Sequence, residues 1–326
     1  MLQKKSYTFP AGILGGLFAA VLATAIMSFF TVFPPFALLL GCFMSLPIFI
    51  VAFGWGTAAS IISLVTAAIV LIFAQNFYIG LGFTLLFFLP AVYASWLLGL
   101  AEMDEDGHAI KWYPLSSVIF LLTGFISIIC VFIGTILYNN PTTPIIAGEI
   151  ASFVTNSLRE TNSASEADIV TFHDFLVNNI VPLLSSSLAT YGVLFLTGNL
   201  YFALVGAQRM KRLARPRDDW PRKFRLPLPA LIIFIVAFGA TFFQLGTFLN
   251  LCALVFNTTF TLAISMTGLA YLHNLTRGIS GRIFILGFVY IALCTFIFAV
   301  PVSLILLLMG IWTTIQVSRQ HGQPKQ

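Results

Sequence analysis

The sequence predicts an all-α protein, a polytopic transmembrane helical bundle of about nine or ten spans with short amphipathic helices on its outer face. Hydrophobic residues make up 59% of the 326 and charged residues only 8%, a balance foreign to water-soluble domains of this size. The apolar residues fall in runs near the roughly 20 residues that a helix needs to cross a bilayer. The charges gather in short clusters between those runs. One integral membrane domain, 1–326, with the lipid bilayer as its solvent, is the organisation these observations imply.

The first run, 11–33, follows Lys4 and Lys5. Ala23-Thr24-Ala25 has the look of a signal-peptide cleavage site, but hydrophobicity continues past it, so the run reads as a first span with its N-terminus inside. Runs 36–53, 57–74, 79–100 and 114–137 follow, with tight connections at 53–56 and 75–78. The chain then makes its one long polar excursion, 138–178, where Glu149, Glu160, Glu166, Asp168 and Asp174 face Arg159 alone. Ile146, Ile150, Val154 and Leu158 recur there at helical spacing, as do Ile169, Phe172 and Leu176, with a polar break at 161–165. Two helices lying on the outer membrane face, or a lid over an outward-facing cavity, would account for the pattern.

Run 181–207 leads into the segment 208–226, whose Arg209, Lys211, Arg212, Arg215, Arg217, Arg222, Lys223 and Arg225 supply most of the net charge of +5. Between two spans such a segment reads as a cytoplasmic loop obeying the positive-inside rule, not as a nucleic-acid patch. Acids in 138–178 then lie outside the cytoplasm, and the two assignments agree. Runs 227–243 and 246–272 bring Arg277 and Arg282 back inside. The last run, 283–317, with Ala299-Val300-Pro301 at its middle, is long for one crossing and short for two. A hairpin gives ten spans with Arg319 and Lys325 inside, a single tilted helix gives nine, and the charge rule favours ten.

The 11 acidic residues all fall in loops or at span ends, so no carboxylate is expected in the membrane core to carry a coupling proton. No phosphate-cradling GxxxxGK[ST], GxSxG or HExxH motif is present, and His108, His173, His273 and His321 are scattered. Neither a metal, a cofactor nor an intrinsic energy source is expected. The four cysteines, Cys42, Cys130, Cys252 and Cys294, lie in apolar runs without CxxC spacing and read as small core residues.

What the spans do hold is small and neutral-polar residues at helical spacing. Gly12, Gly16, Ala20, Thr24 and Ser28 form a ladder in the first span, flanked by Gly15, Ala19 and Ala23. Such a stripe lets a second helix approach backbone to backbone, either within this protein or from a separate membrane subunit. Asn257, Thr261 and Ser265 share a face of the eighth span, with Asn250 two turns away. Ser185, Ser186, Ser187, Thr190, Tyr191 and Asn199 lie in the sixth. Amides in hydrocarbon need partners, so these residues either join helices or line a pocket for a neutral solute.

Phe53-Gly54-Trp55-Gly56 ending a proline-containing second span, Leu89-Pro90-Ala91, Arg215-Pro216, Asn250 and Thr267-Gly268-Leu269-Ala270 followed by His273 resemble the YybS-like family of bacterial membrane proteins. That family is similar to the S components of energy-coupling factor transporters, which capture micronutrients and dock on a transmembrane coupling subunit powered by ATPases. Ala19-x-x-x-Ala23 resembles their docking pattern, although S components are shorter and have fewer spans. The resemblance implies a bacterial cytoplasmic membrane and a solute-binding subunit energised by a partner. The other readings are a non-transporting scaffold for envelope or division machinery, and a lipid-modifying enzyme built on Glu102 to Asp106 with His108.

Overall fold

A computed structural model describes residues 7–106, 108–161 and 165–321. Lys4, Lys5 and Lys325, and most of the polar break at 161–165, lie outside the described residues. Among the described residues, eight helices are long and apolar enough to cross a membrane, and two further apolar helices are shorter. The chain is therefore a multi-pass helical bundle.

The first crossing is α1, Thr8–Val32. The second is broken into α2, Pro34–Gly41, and α3, Leu46–Trp55, where Pro47 removes a donor from the helical ladder. Ser45, at the break, donates its hydroxyl proton to the Phe87 carbonyl. Gly56, at a φ of 94° that glycine adopts without strain, turns the chain into α4, Thr57–Ala74. The next crossing runs through α5, Phe77–Phe83, and α6, Leu89–Leu98. A π turn at Thr84–Phe88 separates them, directly before Pro90, whose ring cannot follow the ordinary ladder.

A β-hairpin follows, β1 Ala101–Met103 against β2 Ala109–Trp112, and then α7, Leu115–Tyr138. The polar excursion differs from expectation. Instead of two helices lying on the membrane face, α8, Thr143–Glu160, packs along the first turns of α9, a continuous helix of 44 residues, Glu166–Arg209. At about 1.5 Å per residue α9 spans about 66 Å, twice a bilayer core, so its first half continues the crossing helix beyond the hydrocarbon. The buried stripe of α8 is Ala147, Ala151 and Thr155. The isoleucines that marked its periodicity only flank the stripe, because small residues let the two helices come close.

After the basic segment come α10, Trp220–Lys223, α11, Leu228–Ala240, and α12, Thr247–Leu275. The last apolar run is divided into α13, Arg282–Cys294, and α14, Phe296–His321. The break falls at Thr295, not at Pro301, which lies inside α14. Helices α7, α9 and α12 form the middle of the bundle, where Ser127 and Thr259 share a hydrogen bond of 2.7 Å.

Candidate functional site

The segment between α9 and α11, expected as a cytoplasmic loop, is a folded plate joined to five neighbouring elements. The Arg215 guanidinium is buried, bonded to Asp218 at 2.5 Å and donating to the Leu98 and Tyr113 carbonyls at 3.1 and 3.2 Å. Burial pulls its pKa down while Asp218 opposes that fall. Asp218 also takes Lys223 at 3.0 Å. Asp219 pairs with Arg277 across the plate, and the bond from that guanidinium holds its carboxyl below the usual range. Arg217 donates to the Tyr201 hydroxyl, Arg212 lies 4.2 Å over the Trp55 ring, and Arg225 lies over Tyr271. The Asp-Asp pair set among eight cations was the signal in the sequence that this segment folds.

Between the plate and helices α9, α12 and α13 lies a cavity of about 310 Å³, at the small end for ligand pockets. Its walls are Thr197 and Tyr201 from α9, Trp220 from α10, His273 from α12 and Tyr290 from α13, with Phe224 beside Trp220. Tyr201 meets Trp220 edge to face at 5.1 Å, and His273 Nε2 lies 2.9 Å from the Tyr290 hydroxyl. Two wall atoms, Thr197 Oγ1 and Trp220 Nε1, are buried without a hydrogen-bond partner among the described residues. An orphaned buried polar atom costs about 1–3 kcal/mol, so a cavity that keeps two of them is suited to a ligand that pairs with both. Comparison with protein-family models, curated proteins and solved structures finds no match.

The cavity lies between the helices the sequence singled out, spans six and eight, but it is lined by other residues. Asn250 is exposed and accepts from the Leu245 backbone N–H at 3.1 Å, bracing the turn before α12. Asn257 and Thr261 are half-buried and pair only loosely with each other, at 3.4 Å. Ser265 keeps a buried hydroxyl without a partner. The fully buried polar face of α12 is instead Thr259 and Thr267, turned from the Asn257 face by two positions, about 200° on a helix of 3.6 residues per turn.

In α9, the Ser186 hydroxyl donates to Leu183 and that of Thr190 to Ser186, both bonds to backbone carbonyls of their own helix. Asn199 is fully buried, its amide spent on the Phe195 carbonyl and its Oδ1 unpartnered. None of these seven lines the cavity, which takes Thr197 and Gly198 from α9 and Met266, Ala270 and His273 from α12.

The first-span stripe is occupied. Gly12, Gly16, Ala19, Ala20 and Ala23 are buried, and α1 packs along α4. A Cβ on Gly16 would sit 2.5 Å from the Ser63 carbonyl. Ser63 Oγ donates to the Gly12 carbonyl at 2.8 Å. This part of the stripe is covered by the protein's own third crossing. Asp104, Asp106 and His108 come together at the tip of the β-hairpin with all three exposed, and the Asp104 carboxylate accepts from the His108 backbone N–H at 2.6 Å. That bond is ordinary turn chemistry.

Proposed function

We propose that the protein is a solute-binding subunit of the cytoplasmic membrane, crossing it ten times and moved by a partner, in the manner of the S components it resembles. The observation that carries this reading is the aromatic cavity with two unpaired polar atoms, Thr197 Oγ1 and Trp220 Nε1. Trp220 Nε1 can only donate, and the Thr197 hydroxyl can donate or accept. With Tyr201, Phe224 and Tyr290 as flat walls, they suit a small, uncharged heteroaromatic solute that presents an acceptor.

The first eight crossings are supported by the way the span ends gather. Trp55, Leu98, Tyr113 and Arg277 all touch the basic plate, as they must if every second crossing ends on the cytoplasmic side. The last pair of crossings rests on the charge rule, by which a hairpin of α13 and α14 would return Arg319 to the cytoplasmic side.

The test is thermal unfolding of the purified protein in detergent against a panel of vitamins and other heteroaromatic solutes. At least one is expected to raise Tm in the wild type and not in Thr197→Val or Trp220→Phe. Without ligand, those two variants should be as stable as wild type, because each removes an orphaned polar group. A panel that stabilises nothing, together with variants less stable than the parent, would refute the reading. Failure of ATPase subunits to co-purify would remove the partner half alone.

A further inference from the structure

A second feature, separate from that cavity, is a groove on the outside of the bundle between α1 and α3. It holds about 720 Å³ and is almost wholly apolar, lined by Leu14, Phe18 and Val21 from α1 and by Pro47 and Ile50 from α3. Leu14, Phe18 and Val21 are 56%, 63% and 63% exposed, so the groove opens towards the hydrocarbon. From Tyr7 to Leu22 it follows about 22 Å of helix, more than the roughly 15 Å depth of one leaflet.

Its cytoplasmic end is charged. Tyr7, Trp55 and Arg212 line both the groove and an adjoining hollow of about 510 Å³, which adds Gly54 and Lys211. Trp55 holds the Arg212 guanidinium over its ring. Neither Arg212 nor Lys211 has an acidic partner among the described residues. The two acids of the plate are committed elsewhere, Asp218 to Arg215 and Lys223, and Asp219 to Arg277 and Arg222. Lys211 sits at φ 55°, just past the end of α9, where glycine is the residue of least strain. Backbone ease therefore does not account for a lysine there.

We infer that this groove is a binding site for one anionic phospholipid of the cytoplasmic leaflet, its acyl chain between α1 and α3 and its phosphate on Lys211 and Arg212. An apolar slot as deep as a leaflet that ends in two uncompensated cations at the interface matches that amphiphile in both halves. A zwitterionic lipid would bring its own cation to the same place and lose much of the attraction.

The test is native mass spectrometry and thermal unfolding of the detergent-purified protein with added phosphatidylglycerol, phosphatidylcholine or inorganic phosphate. Phosphatidylglycerol should be retained and stabilising, phosphatidylcholine much less so, and inorganic phosphate without effect. The double variant Lys211→Gln/Arg212→Gln should bind phosphatidylglycerol about tenfold more weakly, while Arg209→Gln, on the same segment, should not. Leu14→Trp, which fills the groove, should weaken retention, and Ile128→Trp, at another exposed apolar position on α7, should leave it unchanged. Equal retention of the two lipids, an equal response to inorganic phosphate, or full retention by the double variant would each overturn the assignment.

Discussion

Arg215→Met tests whether the basic segment is a structural clamp or a solvated loop. The change keeps most of the side-chain volume but leaves Asp218, with its side chain 6% exposed, without its guanidinium. Removing one member of a buried pair costs about 3–5 kcal/mol, and Lys223, still 3.0 Å from the other carboxylate oxygen, keeps the loss near the lower end. The Leu98 and Tyr113 carbonyls lose a charged donor as well, adding about 1 kcal/mol. A total of about 4 kcal/mol is expected. Arg222→Met, which breaks an exposed pair with Asp219, should cost less than about 0.5 kcal/mol. Reversible unfolding in mixed micelles of increasing denaturing-detergent content measures both. The double variant Arg215→Met/Asp218→Asn should be more stable than the sum of its singles predicts, by about 1 kcal/mol or more. A cost for Arg215→Met no larger than that for Arg222→Met, or strict additivity, would refute the clamp.

Gly268→Ala should destabilise by about 3 kcal/mol in the same assay, because its Cβ would enter the Leu306 carbonyl, whereas Gly124→Ala, where nothing lies within 4 Å, should be neutral or slightly stabilising. Gly16→Leu should sharply lower the yield of folded protein, since the Ser63 backbone occupies that space, while Val21→Leu at a 63% exposed position should not. Thr259→Val, which deletes the bond to Ser127, should cost about 1 kcal/mol and Asn257→Leu less, and the reverse order would show that the polar face of α12 has been misplaced. A reporter active only outside the cytoplasm should be silent when fused after Arg217 and active when fused after Glu160; the opposite result would invert the topology.

The architecture was readable because a bilayer imposes a length on every apolar run. The crossing runs each correspond to one helix or one broken helix in the structure, and the proline-marked breaks fall near Pro47 and Pro90. The readings that failed depended on tertiary partners. Residues 138–178 have two amphipathic stretches in sequence, but Ala147 and Ala151 allow α8 to close on α9, and that packing continues α9 as one helix past the interface. The Thr295 break has no proline to announce it. Periodicity reports a face for each helix and leaves open what covers it, as the α1 stripe illustrates, since the pattern that would admit a foreign helix admits α4 equally well.

For the candidate site, the difficulty is that polarity inside a membrane has two opposite causes. Asn257, Thr261 and Ser265 stand out in sequence because amides and hydroxyls are costly in hydrocarbon, yet serine and threonine can return their proton to their own helix, as Ser186 and Thr190 do. Those hydroxyls need no ligand and no second helix. Of the buried polar atoms left without a partner, those that reach the cavity belong to Thr197, which makes no such return bond, and Trp220, which periodicity groups with the charged segment rather than with any span. What brings them to one cavity is the clamp at Arg215. By tying the plate to the ends of α6 and α7, it holds α10, and Trp220 with it, against α9 and α12. Anything that loosens the plate should therefore open the cavity as well, so solute binding and the integrity of the Arg215–Asp218 pair are coupled through a short stretch of backbone, Asp218 to Trp220.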